Sequence, residues 1–114
     1  PRGPGARAAM RERIQGAIRD RHAEPGLTVG AVAAQLGLSE RSLHRSLAEG
    51  EQSSAALLMD CRMAVARRLL AEPRFDRLDI AEIGRRVGLL DASHFVRLCK
   101  RHLGATPGAL RRVR

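Results

Sequence analysis

The chain has 114 residues, 44% of them hydrophobic and 29% charged, which allows one compact domain or two very small ones. Aromatic residues make up only 2%, which disfavours a β-sheet core because strands are enriched in aromatic and β-branched residues. A formal net charge of +9 favours a polyanionic partner, either nucleic acid or an anionic membrane surface. No stretch approaches the ~18 apolar residues of a membrane span and no signal peptide is visible, so we expect no membrane-spanning segment.

Arginine supplies nearly all of the positive charge, since Lys100 is the only lysine among 21 basic residues. The rigid guanidinium fork of arginine suits phosphate groups and guanine edges. We attribute most of the high ratio of arginine to lysine to coding DNA rich in G and C, and none of the net charge.

The first predicted helix covers residues 6–22, after a Pro- and Gly-rich segment at 1–5 that we interpret as a linker or a cloning remnant. Its apolar residues recur with the 3.6-residue period of an amphipathic helix. The predicted buried face consists of Met10, Ile14, Ala17 and Ile18. Pro25 and Gly26 end this helix.

Two short helices follow, and a capping residue indicates where each begins. Thr28 precedes "VGAVAAQL" at 29–36, and Ser39 precedes "ERSLHRSLA" at 40–48. Each hydroxyl is placed to accept a hydrogen bond from a backbone N–H of the first turn. Gly37 lies between the two helices and permits the tight turn of a helix-turn-helix.

A longer helix is predicted at 54–71. Its predicted inner side consists of Leu58, Cys61, Val65 and Leu69. Cys61 and Cys99 both occupy apolar, helix-periodic positions, so we expect buried free thiols in a reducing compartment rather than a disulfide.

Three more helices are predicted in the remainder of the chain. Asp79 opens one that ends near Gly88, and Asp91 caps the next at 92–103. Thr106, followed by a proline at the first helical position, opens the last. The sequence therefore predicts an all-α fold of seven helices without a strand.

The chain contains an internal repeat. The segment "VAAQLGL" at 32–38 returns as "IGRRVGL" at 83–89, and "LHRSL" at 43–47 returns as "FVRLC" at 95–99. Two copies in register on a basic chain predict two helix-turn-helix units joined by a long linker helix. The alternative is a duplicated helical hairpin that serves packing alone.

We therefore divide the chain into an N-terminal helix with the first helix-turn-helix at 6–53, a linker helix at 54–72, and a second helix-turn-helix with a C-terminal helix at 73–114. A linker helix of ~18 residues is ~27 Å long. Successive major-groove faces on one side of B-DNA lie ~34 Å apart. We expect one chain to read two adjacent major grooves of double-stranded DNA without dimerising.

The outward residues of the second helix in each unit are the candidates for DNA contacts, because that helix enters the major groove. With Leu43 and Leu47 inward, the base-reading candidates of the first unit are Arg41, His44 and Arg45. With Phe95 and Cys99 inward, those of the second unit are Ala92, Ser93, Val96 and Arg97. The candidates for phosphate contacts are Ser39, Lys100 and Arg101.

Arg45 and Arg97 occupy equivalent positions in the repeat, at the middle of each outer face. Arginine can bridge O6 and N7 of guanine, and such a contact contributes ~1–3 kcal/mol of discrimination. A phosphate contact or a solvated side chain is the alternative for both. Arg41 can reach a base or the backbone, and His44 can donate to either or remain solvated.

The charge is distributed unevenly between the two units. Residues 84–114 contain eight basic residues and one acidic residue, whereas residues 23–54 contain two basic and four acidic residues. Since phosphate attraction dominates non-specific DNA affinity, we expect the second unit to anchor the chain and the first to contribute mostly selectivity.

The sequence resembles the AraC/XylS family of bacterial transcription regulators. The likeness lies in "LTVGAVAAQLGLSERSLHRSL" at 27–47, "RMAVARRLLAEP" at 62–73 and "DIAEIGRRVGLLDASHFVRLCKRHLGATPGALRR" at 79–112. It implies a seven-helix DNA-binding domain whose base-contacting positions match the candidates named above. Gly84 stands where the family usually has alanine, from which we expect the helix to lose ~1 kcal/mol of stability.

The family resemblance also implies partners and a location. Such domains usually follow a ligand-sensing or dimerising domain, contact RNA polymerase and act at the bacterial nucleoid in the cytoplasm. We expect any dimerisation of the full-length protein to involve a domain absent from this chain.

An enzyme is disfavoured, because the sequence has no Gly-rich phosphate loop and no paired carboxylates at useful spacing. The two cysteines and four histidines lack zinc-ligand spacing, so we predict neither a metal nor another cofactor. Two alternatives remain: a DNA-repair protein with a reactive cysteine beside this type of domain, and a helical protein-interaction module that binds DNA non-specifically.

Overall fold

The computed structural model describes residues 3–113, with residue 4 described for its backbone alone. Within this range the chain forms seven α-helices and no strand, which confirms the predicted all-α class. A 3₁₀ turn at Pro73–Phe75 follows the fourth helix. The helices in chain order are α1 (Pro4–Arg21), α2 (Val29–Leu36), α3 (Glu40–Ala48), α4 (Ser54–Ala71), α5 (Ile80–Arg86), α6 (Ala92–Leu103) and α7 (Pro107–Arg112).

Local capping determines where most helices begin, as the sequence predicts. The side-chain oxygen of each predicted cap accepts from the backbone N–H three residues ahead, at 2.8–3.2 Å. These caps are Thr28, Ser39, Asp79, Asp91 and Thr106. Ser53 caps α4 in the same way, because its Oγ accepts from the N–H of Ala56 at 3.0 Å. Each cap typically contributes ~1 kcal/mol.

The turns inside the two predicted helix-turn-helix units have the same hydrogen bonds. Gly37 and Gly88 adopt φ of 70° and 86°, a left-handed conformation that favours glycine. The N–H of Leu38 bonds the carbonyl oxygen of Ala33, and the N–H of Leu89 bonds that of Gly84, each at 2.9 Å. This six-residue Schellman closure ends the first helix and redirects the chain into the second. The repeat seen in the sequence is therefore a repeat of backbone structure.

The described residues divide into two compact units, the first built from the chain up to His22 together with Gly26–Met59. In this unit α1, α2 and α3 pack against one another. Its most deeply buried side chains are Ile14, Ile18, Val32, Ala33, Leu43 and Leu47. The predicted inner face of α1 is confirmed at Ile14, Ala17 and Ile18, whereas Met10 is only half-buried.

The second unit comprises Ala23–Pro25 and the chain from Asp60 onwards, with α5 packed on α6 and α6 on α7. Its core includes Leu70, Ile83, Val87, Phe95 and Cys99, each at most 1% exposed. Arg111 holds α7 to the 3₁₀ turn, since its Nη2 donates to the carbonyl oxygen of Phe75 at 3.4 Å. Its Nε also lies 3.9 Å from a carboxylate oxygen of Asp76.

The inner side predicted for α4 is wrong. Its predicted members are only half-buried, namely Leu58, Cys61, Val65 and Leu69. The buried residues are instead Leu57, Arg62, Met63, Ala66 and Leu70. The apolar residues of α4 are spread around much of its circumference, so periodicity alone does not identify the face that is buried. The prediction that Cys61 is buried fails with it, whereas Cys99 is buried and the two cysteines are not joined in a disulfide, as predicted.

A buried arginine explains part of that error. Arg62 is only 7% exposed, and its Nη2 donates to the carbonyl oxygen of Glu24 at 2.8 Å. Burial lowers the pKa of its guanidinium from the ordinary value. Because arginine is rarely buried, the predicted inner side did not include Arg62.

The surroundings of Gly84 oppose the expectation that alanine would be the more stable residue at this position. A Cβ at this position would lie 2.9 Å from Cδ2 of Phe95 and 3.2 Å from the carbonyl oxygen of Leu89. The phenylalanine ring therefore occupies the space that an alanine methyl group would need. The glycine permits the close approach of α5 and α6.

Candidate nucleic-acid interface

The first candidate surface is the outer face of α3. Leu43 and Leu47 are buried at 0% and 1% exposure, whereas the predicted base-reading residues Arg41, His44 and Arg45 are all exposed. This arrangement follows from helix geometry, because residues four apart share the buried face and the intervening residues point away.

The cap at the start of α3 is already engaged. Ser39 is exposed, and its Oγ accepts from the N–H of Ser42 while it donates to Oγ of Ser42 at 3.0 Å. The hydrogen bond that Oγ accepts caps the helix. The hydroxyl proton is not needed for the cap, so it can turn to a ligand.

The second candidate surface is the outer face of α6. Phe95, Leu98 and Cys99 are buried and attach this helix to its unit. The predicted contact residues Ala92, Ser93, Arg97, Lys100 and Arg101 are exposed, and Val96 is half-buried. Val96 therefore presents only part of its side chain to a ligand.

The turn before α6 is one residue longer than the turn before α3. Between its Schellman closure and the cap Asp91, the second unit has an additional residue, Leu90, that is 63% exposed. The first unit passes directly from Leu38 to the cap Ser39. The two candidate surfaces thus share a backbone plan and differ at the approach to the helix.

The two ends of α6 carry opposite charge. The backbone N–H of His94 donates to Asp91 and is the main reason that the pKa of this carboxyl lies below its ordinary value. The last turn contains Lys100, Arg101 and His102, which complement the negative end of the helix dipole. The cationic end is suited to a phosphate backbone.

The end of α3 is arranged differently, in a way that the sequence did not indicate. Glu49 follows the last residue of α3, and Nε of Arg7 and Nη1 of Arg11 each lie 3.2 Å from its Oε2. These arginines belong to α1, some 40 residues earlier in the chain. Their spacing of four residues marks a shared helix face, but the sequence does not reveal which surface that face contacts.

A second group of arginines that the prediction omitted lies on α5. Arg85 and Arg86 are exposed and lie 2.7 Å and 3.6 Å from the carboxylate oxygens of Glu82. The hydrogen bond from Arg85 is the largest cause of a lowered pKa at Glu82. One carboxylate thus faces two guanidinium groups, and the cluster keeps a net positive charge.

The chain matches a family model described as "Helix-turn-helix domain" over residues 32–113, which is most of its length. The chain belongs to the AraC/XylS family of transcription regulators. The predicted family is therefore confirmed. As an AraC/XylS member, the chain is a helix-turn-helix DNA-binding domain, from a family of transcription regulators rather than of enzymes.

Curated relatives and solved structures agree with this assignment. The chain is 30% identical over 100 residues to the transcriptional activator NphR of Rhodococcus, covering 88% of the chain and 29% of the relative. It is similar to the C-terminal domain of AraT, a response regulator from Geobacillus stearothermophilus, with a TM-score of 0.82, 31% identity and coverage of 91% and 84%. A DNA-binding transcriptional dual regulator from Escherichia coli K-12 gives a TM-score of 0.80 at 27% identity, with coverage of 90% and 88%.

This AraC/XylS chain spans 29% of the length of the curated relatives that it matches. No helix among residues 3–113 combines the length and the apolar character needed to cross a bilayer. In the same part of the chain, no three His, Cys, Asp or Glu residues are grouped so as to hold a metal ion.

Proposed function

We propose that this chain binds a specific sequence of double-stranded DNA as the DNA-binding domain of a transcription regulator. In this proposal α3 and α6 are recognition helices that read adjacent major grooves. One observation carries the proposal: Arg45 and Arg97 are both exposed, each two residues beyond a fully buried apolar residue on a helix that follows the same Schellman turn. Chance packing does not require an exposed arginine at the same place twice.

The proposed base contacts divide between the two helices. On α3 they come from Arg41, His44 and Arg45, and on α6 from Ala92, Ser93, Val96 and Arg97. The two repeat-equivalent arginines are assigned to guanine, since each can donate to O6 and N7 together. Val96 and Ala92 offer apolar contact with a thymine methyl group, and Ser93 offers a hydroxyl.

The proposed phosphate contacts are made by Ser39, Lys100 and Arg101. Ser39 keeps its cap while its hydroxyl proton turns from Ser42 to a phosphate oxygen, so the contact costs one exposed hydrogen bond. Lys100 and Arg101 lie on the last turn of α6 and carry charge without needing a defined base.

The wider organisation is also a proposal. We assign 6–53 to an N-terminal helix with the first helix-turn-helix, 54–72 to a linker helix, and 73–114 to the second helix-turn-helix with a C-terminal helix. We propose that the chain acts at the nucleoid in the cytoplasm beside RNA polymerase. Dimerisation of the longer regulator is assigned to a domain outside this chain, and no catalytic role or cofactor is assigned.

Selection of bound duplexes from a random-sequence pool at ~150 mM salt tests the proposal. We expect a discrete consensus with two half-sites, bound at least ~10³-fold more tightly than random duplex. Substituting Arg45→Ala or Arg97→Ala should relax the consensus at one base position each, at a cost of ~1–3 kcal/mol. As a control, Lys100→Ala should weaken binding to all sequences without changing the consensus.

Uniform weak binding with no consensus would contradict the proposal and favour a helical protein-interaction module that binds DNA non-specifically. A consensus confined to one half-site would contradict the assignment of two recognition helices.

A further inference from the structure

The carboxylate of Glu49 stands in an unfavourable place for a DNA-binding helix. It lies at the C-terminal end of α3, where the helix dipole disfavours an anion, and one turn beyond Arg45 on the same face. A carboxylate beside a reading arginine also repels the DNA backbone. Something must offset it if α3 is to approach DNA.

The offset comes from α1. Arg7 and Arg11 both contact the same oxygen of Glu49 at 3.2 Å, so the three side chains together carry a net positive charge. The side chain of Arg7 is half exposed and that of Arg11 is 26% exposed, so neither guanidinium is sealed within the protein. One arginine is enough to neutralise the charge of Glu49, so the second arginine adds a positive charge to the group.

A groove of about 360 Å³ separates this part of α1 from α3. Arg7 lies on its α1 wall, and Ser42, Arg45, Ser46 and Glu49 lie on its α3 wall. The groove therefore joins a proposed base-reading arginine to a cationic group on another helix. Hydroxyl and guanidinium donors around one concave surface are the groups that bind phosphate oxygens.

The balance of charge points the same way. Residues 23–54 contain twice as many acidic as basic residues, whereas α1 carries five arginines against one Glu and one Asp. The first unit therefore owes its positive charge to α1, a helix outside the helix-turn-helix.

We propose that Arg7 and Arg11 of α1 form a DNA phosphate-binding site beside the groove that α3 reads. The ligand is a backbone phosphate of the strand that flanks the base contacted by Arg45. This inference rests on the proposed DNA-binding function and extends it to residues outside both recognition helices.

The test measures the salt dependence of binding to a mixed-sequence duplex of about three helical turns, a probe that needs no known operator. The proteins compared are the unchanged chain, Arg7→Ala/Arg11→Ala, Glu49→Gln, and the triple variant. Circular dichroism of each variant checks that the helix content of the chain is retained. The matched control is Arg13→Ala/Arg19→Ala, which removes the same charge from exposed positions of α1 outside the pair that contacts Glu49.

We expect the Arg7/Arg11 substitutions to lower the salt slope by one to two and the affinity by about tenfold, because each phosphate contact contributes ~0.9 to the slope. The loss should persist in the Glu49→Gln background, where there is no carboxylate left to neutralise. Glu49→Gln alone should tighten binding several-fold, and the control pair should change the slope by less than half as much.

Three results would overturn the inference. An unchanged slope when the arginines are removed from the Glu49→Gln protein would show that they only neutralise that carboxylate. An equal loss in the control pair would show a general effect of charge. If the unchanged chain does not bind the duplex at all, the proposed function and this site are both wrong. This result differs from failure of the site alone, in which the unchanged chain still binds DNA.

Discussion

At the inner face of α6, the thiol of Cys99 is fully buried, and burial raises its pKa to about 11. A buried thiol has no water to stabilise its thiolate, so the group stays protonated and unreactive at neutral pH. Cys61 is half-buried and lies in a different setting. The reactive-cysteine alternative raised by the sequence therefore finds no support at Cys99.

The raised pKa of Cys99 predicts a loss of stability at alkaline pH. The thiol has a higher pKa in the folded state than in the unfolded state, so its protonated form stabilises the fold fully at neutral pH. This stabilisation is lost as the pH rises from about 9 toward 11, because the thiol of the unfolded chain ionises first. Cys99→Ala should lower the melting temperature at all pH values but should show a smaller further drop across this window. Thermal melts at neutral pH and at several alkaline values measure the drop in melting temperature, and Cys61→Ala is the control. An equal alkaline drop in Cys99→Ala and in the unchanged chain would show that Cys99 is not the group responsible.

At the scale of the helices, the two units place residues of different size at equivalent buried positions. In the first unit Ala33 and Leu43 are both buried, and the equivalent positions of the second unit hold Gly84 and Phe95. The glycine leaves room for the larger ring, since a Cβ would approach it to 2.9 Å. Gly84 and Phe95 therefore pack as one unit in the second repeat.

This pairing predicts a non-additive response to substitution. Gly84→Ala should destabilise the fold by ~1–3 kcal/mol through overpacking, despite the higher helix propensity of alanine. Combined with Phe95→Leu, which recreates the pair of the first unit, Gly84→Ala should become neutral or stabilising. Urea denaturation of the two single variants and the double variant gives the coupling energy. Additive losses would show that the ring and the glycine act independently.

Elements governed by local chemistry were predictable from the sequence. Thr28, Ser39 and Asp91 cap their helices because each oxygen lies within reach of its own first turn, a property fixed by neighbouring residues. The burial of Arg62 and the pairing of Glu49 with α1 were not predictable, since both depend on residues distant in sequence. For the same reason the candidate contact residues were found on the exposed faces, while the α1 arginines were missed.

At the scale of the whole chain, positive charge is concentrated in different ways in the two units. The second unit carries it on α6, at Lys100 and Arg101, and on α5. The first unit carries it mainly on α1, while α3 and its surroundings are rich in glutamate. We therefore expect the second unit to provide more of the non-specific attraction to DNA.

The salt dependence of binding measures that division. Lys100→Ala/Arg101→Ala should lower the slope of log affinity against log salt by about two, whereas Arg45→Ala should lower it by less than one because a base contact releases no phosphate counterion. Filter binding or fluorescence anisotropy across a salt series gives both slopes. If Arg45→Ala flattens the slope as much as the double variant, Arg45 is a phosphate contact and the division is wrong.

The close approach of Gly84 to Phe95 also limits which segment of the second unit could be exchanged with another protein. If α6 were moved without α5, Phe95 would lose the glycine that leaves room for its ring. The additional residue Leu90 would be lost unless the turn travelled with it. We therefore expect α5, its turn and α6 to be exchangeable as one segment, whereas exchange of α6 alone should disturb the core.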